Sequence, residues 1–166
     1  MTSSPKKLLS LSLIIILFIA GGCDQSGKTA VSSGERIVLG QHEHAKTFGD
    51  YTIHVNALTT DQLPSDVAKT YKIQRSKSKA MLNVVIMKNI DGVDTPVTGT
   101  VLALTRNLAS QVKDLKIQEI KSGDAIYYIG TANVANAETL VFDIDATPAN
   151  ESTPFLLRYQ QQFFTE

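Results

Sequence analysis

The chain has 166 residues with 16 basic and 16 acidic side chains, so it lacks the basic footprint of a nucleic-acid binder. Its single cysteine excludes an internal disulfide, and the absence of tryptophan removes one common stacking residue. At this length, with 43% hydrophobic residues, one domain around one core is expected.

Lys6 and Lys7 precede an apolar run from Leu8 to Ile19. That run fits the ~7–15 residues of a secretory signal and falls short of the ~20 needed to span a bilayer. It closes on Ala20-Gly21-Gly22, small residues that let a peptidase approach the backbone, and then Cys23. Ala-Gly-Gly-Cys after such a run resembles the lipobox of bacterial lipoproteins, Ala20 standing where Leu or Val is more usual. The resemblance implies cleavage before Cys23, diacylglycerol on its thiol, and often a palmitate-type acyl group on the new N-terminus. An ordinary cleaved signal and an uncleaved signal anchor are the alternatives. Each buried methylene contributes about 0.8 kcal/mol, so more than one chain on Cys23 makes attachment lasting. Asp24 directly after the cysteine resembles the inner-membrane retention signal of enteric-type bacteria.

Residues 1–22 are therefore read as a signal-peptide helix, 23–43 as a lipidated N-terminus and flexible tether, and 44–166 as the domain. The tether opens with DQSGKTAVSSG, rich in Ser and Gly and with little to bury. Tyr51 to Ala57 then alternates with period two, placing Tyr51, Ile53, Val55 and Ala57 on one face. Leu63 to Tyr71 is the one helix candidate, short, capped by Ser65, with Val67 and Tyr71 toward the core. Ala80 to Met87 is apolar on both faces, which predicts a central strand. Asp91-Gly92 predicts a hairpin turn. Val97–Leu104 is a further strand, and Asn107–Gln111 a helical turn. From Leu115 the alternation slips at Ile120, predicting a bulge or an edge.

Ala125–Val134 is the next strand. Leu140, Phe142, Ile144 and Ala146 are read as facing inward, and so are Phe155, Leu157, Tyr159, Gln161 and Phe163. Seven to eight strands separated by turn signals predict an all-β fold, an antiparallel immunoglobulin-like β-sandwich with one short helix in a connection.

Four segments carry a resemblance: FGDYTIHVNAL at Phe48–Leu58, DVAKTYKIQRSKSKAMLNVVIMK at Asp66–Lys88, GDAIYYIGTANV at Gly123–Val134, and the closing LLRYQQQFF. Together they resemble a family of small gammaproteobacterial envelope proteins, domain of unknown function 4426. The resemblance runs from about His44 to the C-terminus. It implies a secreted β-sandwich and brings no catalytic residues with it.

His42-Glu43-His44 is the one local cluster with metal-ligand chemistry, since residues i and i+2 of an extended chain point the same way. His54 would join it if the two segments pair, and Met81 or Met87 would suit Cu(I). The alternative is that these histidines are solvated or partly packed. Asp143 and Asp145 share one strand face and are read as a solvated outer face. Arg75, Lys77 and Lys79 are read as charge protecting an edge strand, with anionic lipid or an acidic partner as the sharper option. No Gly-x-Ser-x-Gly elbow is present. The functional expectation is a lipid-anchored envelope protein facing the periplasm. It would act as a non-catalytic binding or accessory module with no cofactor, attached to the membrane through Cys23 and contacting an envelope protein partner. A metal or small-ligand carrier using His42, His44 and His54 is the alternative.

Overall fold

The computed structural model describes residues 32–40 and 42–166. The signal segment, Cys23, Asp24 and the first part of the tether lie outside the described residues. The alternating stretches become strands, which run in chain order as β1 (Ile37–Val38), β2 (Ala45–Phe48), β3 (Tyr51–Thr59), β4 (Lys79–Ile90), β5 (Val93–Pro96), β6 (Gly99–Asn107), β7 (Val112–Lys113), β8 (Gln118–Ser122), β9 (Ala125–Asn133), β10 (Glu138–Pro148) and β11 (Phe155–Phe163). Between β3 and β4 lie a 3₁₀ turn, Thr60–Gln62, and the helix α1, Ser65–Thr70.

Two sheets form, ordered β1-β11-β10-β6-β7 and β2-β3-β4-β9-β8, with β5 on the far end of β4. All pairings are antiparallel except that of β1 with β11. The chain is an all-β sandwich, as the strand spacing predicts.

The inward faces match the alternation. Ile53, Val55, Leu82, Val84, Ile86, Leu140, Phe142, Ile144, Leu157 and Tyr159 are all buried in one core. Burial of each large apolar side chain contributes on the order of 1.5–3 kcal/mol. Strand β4 is central, as its two apolar faces predict. The β4–β5 hairpin turns at Asp91 and Gly92, whose φ values of 53° and 85° are the positive pair that a two-residue hairpin turn requires. Tyr128 ties the sheets together. Its hydroxyl accepts the Gly99 amide at 2.7 Å and donates to the Gly99 carbonyl at 3.1 Å. A Cβ at Gly99 would run into the Thr147 carbonyl and the Ile86 side chain, so glycine is required for that approach.

Three expectations change. First, α1 begins at Ser65 itself; Pro64 occupies the cap position and no side chain caps the helix. Its buried residue is Ala68, while Val67 and Tyr71 face a groove on the outside of the second sheet. Second, Arg75 and Lys77 precede β4, and Lys79 opens a central strand, so this run guards no edge. The Arg75 guanidinium instead donates to the Asp61 carbonyl at 2.6 Å.

Third, Asp143 and Asp145 are buried, at 4% and 5% exposure, although their side chains point away from the core. The segment 32–39, read as tether, crosses the outer face of the first sheet and covers them. The Ser32 amide donates to Asp145 Oδ2. Arg36 then enters the acid pair, with Nη1 2.7 Å from Asp145 Oδ1 and Nε 3.6 Å from Asp143 Oδ1. Asp145 Oδ1 receives no directed hydrogen bond, so that contact is Coulombic; Arg36 Nη1 donates instead to the Ile144 and Leu157 carbonyls at 2.9 and 3.4 Å, and Nη2 to the Ser32 carbonyl at 2.7 Å. Arg158 Nε donates to Asp143 Oδ1 at 2.6 Å, and Arg106 bonds the other oxygen. Strand β1 follows, adding to the β11 edge, and Leu39 closes the strap by donating its amide to the Arg158 carbonyl at 2.9 Å.

Candidate functional site

In an antiparallel sandwich the face turned away from the core is ordinarily polar. On the second sheet it is not. Met81, Ile120, Tyr127 and Ile129 come together there through the pairings Asn83–Ile129, Met81–Thr131 and Ile120–Tyr127. The slip in alternation after Leu115 explains Ile120: Leu115 and Ile117 pack inward against Gly130, and the next apolar residue then falls on the outer face. Leu63, Val67, Tyr71 and Ile73, from α1 and its flanks, form the opposite wall. Of these eight side chains only Met81 is fully buried; the others are partly buried, each keeping a minority of its surface open.

The result is a groove with two arms that share Tyr71, Ile73, Ile120 and Ile129. The apolar arm encloses about 280 Å³ and reaches Tyr127, Ser122 and Asn83. Asn83 Oδ1 is buried in that wall without a donor. The second arm, of about 220 Å³, opens between Lys72, Lys79 and Lys116, beside Gln74, Gln118 and Thr131. Lys79 Nζ donates to Asn133 Oδ1 at 3.3 Å. Among the described residues none of these three lysines lies within ion-pair distance of a carboxylate.

Lys72 adopts a left-handed backbone, φ 55°, just after the helix. Glycine or asparagine is the usual residue at such a helix end, and a lysine there costs on the order of 1 kcal/mol. The chain turn it makes is fixed by Ile73, whose amide donates to the Ala68 carbonyl at 2.8 Å.

The histidines occupy different surroundings. His42 is exposed in a turn. His44 lies against Tyr159, with Nδ1 3.4 Å from the hydroxyl and the rings 5.9 Å apart. His54 stands opposite Ala45 on the outer face of β3, one register step from His44, so the two side chains point to opposite faces of the sheet. An open hollow of about 400 Å³ passes His44, His54, Asn56 and Asn83. Among the described residues no three His, Cys, Asp or Glu side chains come together as a metal-ligand set. Met81 lies on the groove wall and Met87 farther along the same face of β4, opposite Thr52. Cys23 lies outside the described residues.

Sequence reasoning missed the groove. Its signal was the second apolar face of β4, Met81, Val85 and Met87, which marks a strand covered on both sides. Helix α1 covers that face only in part, and periodicity alone does not say how far a cover reaches.

The family description "Domain of unknown function (DUF4426)" matches residues 45–166. In structure the chain is similar to a DUF4426 family protein, PA0388, from Pseudomonas aeruginosa PAO1, with a TM-score of 0.64 and 26% identity over 74% of this chain and 94% of that one. Comparison with curated proteins gives no match.

Proposed function

The chain belongs to the DUF4426 family of unknown function, and on that premise we propose that it is a lipid-anchored envelope module that binds a ligand and performs no chemistry of its own. One observation carries the binding reading: an apolar groove, open to solvent along one side, on a sheet face that water would otherwise make polar. Exposed apolar surface of this kind is retained where something covers it. The anchor reading is supported by the run ending at Cys23, which resembles a lipobox and would have the domain face the periplasm, and Asp24 resembles an inner-membrane retention signal. Among the described residues no helix is long and apolar enough to cross a membrane.

Two measurements test this. Replacement of Cys23 by serine abolishes acyl labelling and releases the protein from membranes; a C23S protein that stays membrane-bound at unlipidated mobility identifies a signal anchor instead. With Cys23 lipidated, a cysteine introduced at Ile129 is the only free thiol. It reacts with a small maleimide more slowly in cells than in washed, purified protein, whereas one at the exposed Leu108 reacts equally in both. Equal rates at both positions contradict an occupied groove.

A further inference from the structure

The two arms of the groove differ in chemistry and open into one another. One is walled by Leu63, Val67, Tyr127 and Ile129; the other is ringed by three lysines, and no acidic side chain lines either arm. An occupant that satisfies both has an apolar tail and an anionic head. Size narrows the choice. A methylene is about as large as a water molecule, whose share of liquid volume is ~30 Å³, so the apolar arm of about 280 Å³ takes roughly nine methylenes. That is one medium-length chain.

The head is placed by charge. Lys72 and Lys116 are exposed and Lys79 is half-buried at the start of the central strand, so the three converge from the helix end, β4 and the segment leading into β8. Among the described residues no carboxylate pairs with them, so they leave a positive mouth for a ligand's carboxylate. Gln74, Gln118 and Thr131 add neutral hydrogen-bonding groups beside it. We propose that the groove binds a single-chain fatty acid of medium length, its carboxylate held among Lys72, Lys79 and Lys116 and its tail laid between α1 and β8–β9. This deepens the groove reading above and rests on it.

The test uses the full chain in its own membranes and a dodecanoate carrying a photoreactive diazirine in mid-chain, with the matching dodecylamine as control. Labelled peptides are then identified by mass spectrometry. The carboxylate probe should label peptides containing Ile73 and Ile129 at least fivefold more than the amine probe does, and excess unlabelled dodecanoate should displace it. Shortening the competitor should weaken displacement roughly fourfold per methylene.

The variant I129E should lose labelling. Because it places a charge in a half-buried position and risks misfolding, a second variant, K72Q/K79Q/K116Q, removes the rim charges and should lower carboxylate labelling about tenfold while amine labelling holds or rises. Equal labelling by the two probes, or label spread evenly onto the β4–β5 hairpin, overturns the proposal. If maleimide protection at position 129 persists in cells while the fatty-acid probe fails, the groove reading stands and the ligand class is wrong. If protection is also absent, both fall.

Discussion

Asp143 is the residue whose surroundings depart most from what its pattern suggests. It sits at an outward position of a strand, yet three arginines converge on it. Burial pushes its carboxyl upward, but hydrogen bonds from Arg158 and Arg106 outweigh burial and hold it below the usual carboxylate range. The folded value is the depressed one, so this stabilisation is complete above about pH 4, the ordinary aspartate value, and is lost as pH falls further through the folded value. Urea denaturation across pH 2–6 should show it, and D143N should remove that part of the acid sensitivity. At neutral pH the same variant leaves Arg36 beside Asp145, 2.7 Å away, and takes the carboxylate from Arg106 and Arg158, which are 25% and 33% exposed and can turn to water, so it should cost about 1–3 kcal/mol. A loss under about 0.5 kcal/mol would mean that the network is decorative. At the groove rim, Lys72 is the complementary case. K72G should relieve the left-handed strain and raise stability by up to about 1 kcal/mol while removing one rim charge. Thermal denaturation reads the first effect.

Among the elements, the strap formed by residues 32–39 is held by a few contacts at its ends and by Arg36 in its middle. R36M should therefore loosen the strap without unfolding the sandwich. Hydrogen exchange at the Leu39 amide should accelerate strongly, while amides of β4 and β10 keep their protection. Equal acceleration throughout would place the strap in the core's cooperative unit. The strap also marks the boundary of what the sequence displays. Inward positions of β3, β4, β10 and β11 are legible because period two reports which face is apolar. Asp143 and Asp145 are legible as outward but not as buried, since their cover arrives from more than a hundred positions away, at Arg36. Ile120 was legible as out of phase, and only the position of α1 turns that phase slip into a groove wall.

At the scale of the whole molecule, the two outer faces are used differently. One is sealed by the chain's own N-terminal segment through buried ion pairs. The other is left half-covered by a six-residue helix, apolar inside and basic at its rim. A sandwich held near a membrane by Cys23 would thus be fastened on one side and receptive on the other. The most direct measurement places a photo-crosslinking residue at position 129 of the full chain in living cells, with a second at Val93 on the exposed hairpin as reference. The account predicts adducts from position 129 alone, with the mass increment of one small amphiphile. No adduct at 129, or adducts alike at both positions, would contradict it.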